Sequence, residues 1–478
     1  MRPWDVGWAT CSACMGAAHP EYGRCLAHLT PDEIDAVLTA TPPGTAGRVR
    51  GRPAPAIDLR GVRVPARLLE HVLGATGGRL GRARFDHAVF DGDARFGATV
   101  FEGDASFDHA CFHGLASFYD AHFATNVSFR AAHFAGHLSF SEADVNGYAV
   151  FDGASVGGDA VFDAAGFGKD ASFHGSVFFG PASFDGARFA GNAGFRTARF
   201  RRVVSFRRTV FERHVSFAAA CFSAAAYLAP STVGGGLSLA GADASAGLAL
   251  SAAGCTVDLR RLRVAGGPLT VRLREAQADL EGATLVGAAT LVGKGPVRLL
   301  SLREVAAGTG LALSGVDLSG CSFTGLRHPE LLRLSGCVFA APPRGVRLAL
   351  TWPPLRWWRR RNVLADERAW RGWPEAEGDG PPTATQLEAL YSRLRAGVDD
   401  RHTATDFAFG AMEMRRLART GPGRWLLCAY WLISGYGLRL GRAAGWVALA
   451  VLITAAGMLW SAAGTMAHRP LPVVQQTH

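Results

Sequence analysis

The sequence predicts a mainly β fold, a parallel β-helix, and three observations carry that prediction. Phenylalanine keeps a fixed schedule from Ala83 to Leu228. One series starts at Phe85, Phe96 and Phe107 and returns every eleven residues as far as Phe217. A second starts at Phe90, Phe101 and Phe112 and runs to Phe222, with Val145 and Val156 on its two missing beats. A small or β-branched residue stands two positions ahead of most rings, as at Ala83, Ala88, Ala94 and Ala105. Between them lie Asp, Gly, Asn and His, residues that turn corners. The unit reads A-x-F-x-x-A-x-F-x-x-x, and so short a period carried this far marks a repeat architecture.

Residues two apart point the same way from an extended strand, so Ala and Phe face inward and the residue between them outward. An α-helix is excluded, because steps of five and six scatter the rings around a 3.6-residue turn. Short strands joined by tight corners put every ring on one axis, and successive coils pair through parallel backbone hydrogen bonds. Each buried Phe contributes roughly 1.5–3 kcal/mol.

Ala83–Asp93 (ARFDHAVFDGD) and Ala182–Asn192 (ASFDGARFAGN) resemble the pentapeptide-repeat family, whose consensus is a small residue, a polar one, Leu or Phe, then two polar ones. The resemblance implies a right-handed quadrilateral β-helix with four units per coil. Here every second unit has six residues, giving twenty-two per coil and between six and seven coils from 83 to 228. The extra residue reads as a recurring bulge at alternate corners, outside the core. Members share a scaffold rather than a chemistry.

At 478 residues the chain has room for more than one core. Met1–Met15 is polar and lacks an apolar stretch, so no signal peptide is expected. The nine cysteines are expected to stay reduced in the cytoplasm. Residues 1–40 contain Cys11-x2-Cys14-x10-Cys25-x2-His28. Two ligand pairs at this spacing suit a structural, tetrahedral Zn²⁺ held by three thiolates and an imidazole. His19 competes as a ligand, and a set of ordinary thiols is the plainer reading. Thr30 as N-cap, Pro31 and Glu33 then open a short helix through Ala40.

Residues 41–55 form a Pro/Gly/Arg linker. Residues 56–82 read as a cap. Ile57–Val64 is a strand pair, and Pro65–Leu73 a helix that presents Leu68, Leu69 and Val72 to the open end of the β-helix. After the regular coils of 83–228, residues 229–341 continue irregularly. Leu237, Leu239, Leu248 and Leu250 keep the period, and Val316-x-Leu318-x-x-Cys321-x-Phe323 restores the unit. One continuous β-helix is the simplest account, and two stacked blocks the alternative.

Charge along the tower is uneven. Ala83–Ala193 carries fourteen Asp/Glu against five Lys/Arg, net −9, whereas Gly194–His214 carries seven Arg against one Glu, net +6. Some pentapeptide-repeat proteins imitate DNA and engage gyrase, and the acidic half fits that behaviour. The whole-chain charge of +10 opposes it, so solvation of the outward positions is preferred. The Arg196–Arg213 band suits an acidic partner, a lipid headgroup or nucleic acid, and no outward aromatic marks it as a base-reading surface.

Residues 342–442 change character. Trp352, Trp357 and Trp358 with Arg356, Arg359, Arg360 and Arg361 suit an anionic membrane interface. Leu364–Trp373, Gln386–Val398 and Ala404–Arg419 read as helices, with Leu387, Leu390, Tyr391 and Leu394 on one face. The last of these, with Tyr430–Arg439, resembles the C-terminal part of large actinobacterial-type pentapeptide-repeat proteins, which implies architecture and no reaction. Trp425–Ser434 is apolar but too short to span, so it is placed in the interface. Ser434-Gly435-Tyr436-Gly437 has the GYG letters of a potassium filter, but the first of the two spans a pore needs is missing. Residues 443–464 hold no charge over twenty-two residues and read as one transmembrane helix, ahead of a tail at 465–478. Arginines concentrate before it, which places the β-helix in the cytoplasm.

No nucleophile elbow, phosphate loop or catalytic His/Asp set stands out. The sequence therefore predicts a non-enzymatic, single-pass, membrane-tethered scaffold that presents flat faces to a protein partner, with a second copy of the chain as a further candidate. A nucleic-acid-linked protein, either a DNA mimic directed at a topoisomerase such as gyrase or a binder through Arg196–Arg213, is the alternative.

Overall fold

The computed structural model describes residues 7–39, 54–343, 345–348, 355–358, 361–373, 382–438 and 440–466. The chain divides into two units, Met1–Ala340 and Ala341–His478. The predicted linker falls almost wholly outside the described residues, as does most of the predicted tail.

The first unit is the predicted solenoid. Ala83 pairs with Ala105 one coil on, and Ala105 with Val127, each step twenty-two residues. Four parallel ladders result, one per face, three with 12 strands and the fourth with 8. Each unit supplies a two-residue strand and one inward ring. The first coil already starts at Ile57. Ile57–Asp58 and Arg63–Val64 do not pair with each other; they join the first and second faces, against Ala83–Arg84 and Val89–Phe90. The helix between them and the fourth-face strand Arg79–Leu80, Ala66–Thr76 (α2, after α1 at Pro31–Thr39), stands where that coil would place its third-face strand. Its Leu68, Leu69 and Val72 are buried as expected of a cap.

The rings do not share one axis. Each face carries its own column, because each face repeats on the coil period. Phe85, Phe107, Phe129, Phe151, Phe173, Phe195 and Phe217 stack at 4.8–5.0 Å. Rings of adjacent columns meet edge-on, as Phe96 meets Phe107 at 5.5 Å and 78°. Where Val145 leaves the fourth column short of a ring, Phe140 leaves its own stacking plane. It lies 41° and 38° to Phe118 and Phe162, yet within 5° of parallel to Phe123 and Phe167. Among the described residues no ring makes the equivalent move beside Val156.

The two unit lengths make two kinds of corner. Five-residue units close in a type II turn. The Ala88 N–H donates to the Phe85 carbonyl at 3.0 Å, and His87 takes φ 57°. The turn returns at His109, Ala131 and Gly153. The Asp that follows the inward Phe ties one coil to the next. Asp108 Oδ1 accepts from Ser128 Oγ at 2.5 Å and from the Arg130 N–H at 2.9 Å, and Asp163 and Asp185 repeat the bond. Six-residue units end in open bends, the alternate corners predicted to hold the extra residue. There Gly136 lies so close to the preceding coil that a Cβ would stand 2.6 Å from the Gly114 carbonyl oxygen.

Past Leu228 three of the four ladders continue without a break, so the solenoid is one block. Steps on the third face become 21, 20, 22 and 21 residues, from Leu248 to Leu269, Ala289, Leu311 and Leu332. The fourth sheet stops at Thr232–Val233. Six-residue strands at Leu248–Ala253, Leu269–Arg274 and Ala289–Lys294 replace the two short ones.

The second unit holds a two-stranded antiparallel hairpin, Gly345–Leu348 with Leu355–Trp358, and five helices among its described residues. These are α3 Ala365–Trp370, α4 Ala384–Leu394, α5 Arg401–Ala418, α6 Pro422–Ser434 and α7 Leu440–Met466. Thr383 and Gln386 form a capping box on α4, whose Leu387, Tyr391 and Leu394 are buried against α5 as the helical spacing required.

Val145→Phe, which restores the repeat letter, is expected to destabilise the solenoid by about 1–3 kcal/mol, because Phe140 already fills the gap. Val156→Phe is expected to cost less. Equilibrium denaturation of the two variants checks the order.

Candidate metal centre and a buried ion network

Cys11, Cys14, Cys25 and His28 come together as the spacing predicts, with their ligating atoms all within 4.8 Å of one another. Cys14 Sγ lies 3.5 Å from Cys25 Sγ, and His28 Nδ1 lies 3.1 Å from Cys25 Sγ and 3.6 Å from Cys11 Sγ. A tetrahedron with metal–sulfur bonds of ~2.3 Å and a metal–nitrogen bond of ~2.0 Å has edges of roughly 3.5–3.8 Å. The cluster is therefore shaped to hold a metal ion, and none of its sulfurs is in a disulfide.

Local structure explains the convergence. The Ala13 and Gly16 N–H groups donate to Cys11 and Cys14 sulfurs at 3.4 and 3.3 Å, and the Cys11 N–H donates to the Gly16 carbonyl at 2.8 Å. A 3₁₀ turn at Leu26–His28 carries the second pair. Thr30 and Glu33 then exchange the predicted capping bonds at the start of α1. Arg24 joins Glu33 at 2.9 Å and donates to the His28 carbonyl at 2.9 Å. His19, the competing ligand, stands outside the cluster, its ring against Tyr22.

Burial opposes the Cys11 thiolate, yet N–H donors from Cys25, Ala13 and Cys14 bring that thiol down to about 6. Burial pushes the Cys25 thiol up to about 12, and the adjacent Cys14 adds to the push. Three thiolates this close repel one another, and a cation removes that cost. With four protein ligands no position stays open for substrate, so a metal here is structural.

In the helical unit the structure corrects one expectation and adds a cluster. Arg361, assigned from sequence to a membrane-facing surface, is buried, its side chain 4% exposed, and donates to both carboxylate oxygens of Glu367 at 2.5 and 2.8 Å. Glu367 also accepts from Tyr391 Oη at 2.6 Å and Arg371 Nε at 2.7 Å. Arg371 reaches Glu413 at 3.7 Å, and Glu413 accepts from Arg416 at 2.7 Å and Tyr436 Oη at 3.0 Å. Tyr436, the centre of the GYG letters, is thus a buried anchor, in left-handed backbone at φ 64°. Sequence reading passed over Glu367 and Glu413. Their signal is an arginine at helical spacing on the same side, Arg371 four residues after Glu367 and Arg416 three after Glu413.

The seven arginines from Arg196 to Arg213 are all exposed, and none of them has an ion-pair partner among the described residues. They ring one coil instead of covering one face. Arg196 lies at the corner between the first and second faces, Arg199 on the second, Arg207 and Arg208 at the corner after the third. Arg207 also packs on the Tyr227 ring at 4.7 Å.

Residues 79–122 match a family model described as pentapeptide repeats (9 copies). No curated protein matches the chain.

Burial alone raises the carboxyls of Glu367 and Glu413, but the arginines on each outweigh it and hold both below the usual range. Carboxyls held down stabilise the folded state above their unfolded value of ~4.3, and that stabilisation drains away as pH falls through the lowered value. Helices α4 and α5 are expected to lose amide-exchange protection in acid well before the regular coils do. Glu413→Gln removes part of that pH dependence.

Proposed function

The chain is a pentapeptide-repeat protein, and from that premise we propose that it is a membrane-tethered scaffold whose solenoid faces receive a protein partner. The observation that carries the tether is Ala443–Trp460 in α7, an uncharged eighteen-residue stretch of mean hydropathy 1.9 of which none is buried. An exposed apolar helix of this length is costly in water and suited to hydrocarbon. Such a helix, standing alone, is also what a soluble protein sometimes carries in its core, but its full exposure argues against that role. The solenoid supports the scaffold half. Its inward positions are filled by packed rings, and its outward positions form long columns open to contact.

Orientation belongs to the same proposal. Arg415, Arg419, Arg424, Arg439 and Arg442 precede the span, against His468 and Arg469 after it. Arg416 drops out of that count, since Glu413 neutralises it. The excess favours a cytoplasmic solenoid. Helix α6 leaves Trp425, Leu426 and Ile433 exposed, and Trp446 Nε1 in α7 donates to its Leu432 carbonyl at 3.1 Å. We place α6 along the interface beside the span. We further propose that the Cys/His centre holds zinc, which three thiolates and one imidazole favour over harder cations. The unpaired arginine belt supports a second reading, a nucleic-acid partner, and salt-dependent binding of DNA that is lost when Arg196–Arg213 is neutralised would favour it.

The full chain is expected to resist carbonate extraction and to require detergent. Val451→Arg with Leu452→Arg, at about 2.5–3.5 kcal/mol each at the centre of a span, is expected to release it, and equal membrane retention would refute the tether. Metal analysis of the full chain is expected to find about one zinc per chain, falling sharply in Cys14→Ser. A metal content indifferent to that change would remove zinc from the cap.

A further inference from the structure

A solenoid has an edge problem at each end, because its first coil carries unpaired backbone groups and an uncovered core. The metal-binding loop sits against that first coil. The Ala17 N–H donates to the Arg60 carbonyl at 2.8 Å, at the corner between the first and second faces of that coil. Gly16 packs on Val62 so closely that a Cβ would lie 2.6 Å from Val62 Cγ2. A side chain on Gly61 would meet the Met15 carbonyl oxygen at 3.1 Å. Trp8 lies over the Arg60 guanidinium at 4.9 Å and hydrogen-bonds the Met15 carbonyl. Beneath this loop Leu59 and Val62 are fully buried, although no coil precedes them.

The same few residues hold the ligands. Gly16 donates to the Cys14 sulfur and accepts from the Cys11 N–H, so the segment that touches the coil is the one the thiolates shape. Helix α1 extends the contact, with Asp35 bonded to His71 of α2 at 3.0 Å. Little else orders residues 9–29, where helix is confined to one 3₁₀ turn.

We propose that the Cys11–Cys14–Cys25–His28 centre is the latch of the N-terminal cap, so that metal occupancy decides whether the first coil is covered or its sheet edge stands open. The metal shapes the loop, the loop carries the Ala17 donor and the Gly16 surface to Arg60 and Val62, and the first-coil edge is sealed. Loss of metal costs the loop its fold and opens Arg60, Leu59 and Val62 to water. The coils beyond Ala105 keep their own neighbours, so the effect stays local.

The inference rests on the metal reading, and the test separates the two. The full chain in detergent is followed by metal content and by amide exchange, before and after chelation. Chelation is expected to remove one equivalent of metal and to lower protection in 9–29 and 57–64 by at least about tenfold, with 105–228 unchanged. A second variant, Ala17→Pro, deletes the donor to Arg60 while leaving all four ligands. Ala17 is already extended in its bridge to Thr10, and its N–H serves only Arg60. This variant is expected to keep its metal and still lose protection in 57–64. Metal removed with no change in 57–64, or a metal-loaded Ala17→Pro as protected as the parent, would overturn the latch and leave the metal site standing. A chain that binds no metal at all overturns both.

Discussion

Parallel strands hydrogen-bond at about 4.7–4.9 Å, and the Phe rings of the first face stack at 4.8–5.0 Å. The rest of the first unit depends on that coincidence of spacing. Along the first face each ring from Phe85 to Phe217 stacks on the next at the distance the backbone already imposes, so side chain and main chain ask for the same rise. Two rings per eleven residues fill the width of the coil, which leaves room mostly for Ala, Val or Thr at the other inward positions, with Leu138 and Ser176 as exceptions. Once Leu replaces Phe beyond Leu228, no stacking plane has to be kept. Coil length then drifts between 20 and 22 residues, and one corner straightens into six-residue strands. The fold survives because the ladder needs only registered backbone, whereas strict period needs rings.

A structure built by repetition has nothing in its repeat to say where to stop. The N-terminal end answers with unlike parts. A helix occupies one face of the first coil, a proline at position 65 removes an edge donor, and a cysteine–histidine loop packs on the corner between the first and second faces. These parts lack a hydrophobic core of their own, and Leu26, Leu29, Ile34 and Leu38 are few for a segment of this length. Small modules of that kind are ordinarily fastened by metal or disulfide, and the proposed metal would supply that fastening. Capping and the proposed metal ligation would then belong to one problem, that of closing an edge with too little apolar surface.

Repeat, capping box, cysteine spacing and apolar span were all legible, because each is a local pattern whose physics acts within a few residues. The separate ring columns were not, since they follow from the coil closing on itself, and two Phe eleven apart read alike whether they share a face or lie across the core. Phe140 shows the same limit. Its place in the series is ordinary, and only the neighbouring valine, five residues on, draws its ring out of plane. Arg361 was misread for a related reason. Four arginines and two tryptophans in a row describe a surface well, but the last of them is claimed by Glu367, six residues on and inside α3, a pairing that local spacing does not announce.

The GYG letters bring this to its sharpest form. In a pore, such a segment lends its carbonyl oxygens to an ion; here its tyrosine turns inward and gives its hydroxyl to Glu413 while accepting from Arg416 at 3.1 Å. A buried carboxylate flanked by two arginines is stable only if its remaining lone pairs are met, and Tyr436 meets one of them. That requirement also gives the glycines a role. Left-handed φ at Gly435, Tyr436 and Gly437 makes a reversal tight enough to return the ring beneath α5, between the end of α6 and the start of α7. The turn that leads into the apolar helix is thus held by charge buried in the helical body. Three letters shared with an ion filter serve a hinge that cannot easily move without unpairing a carboxylate.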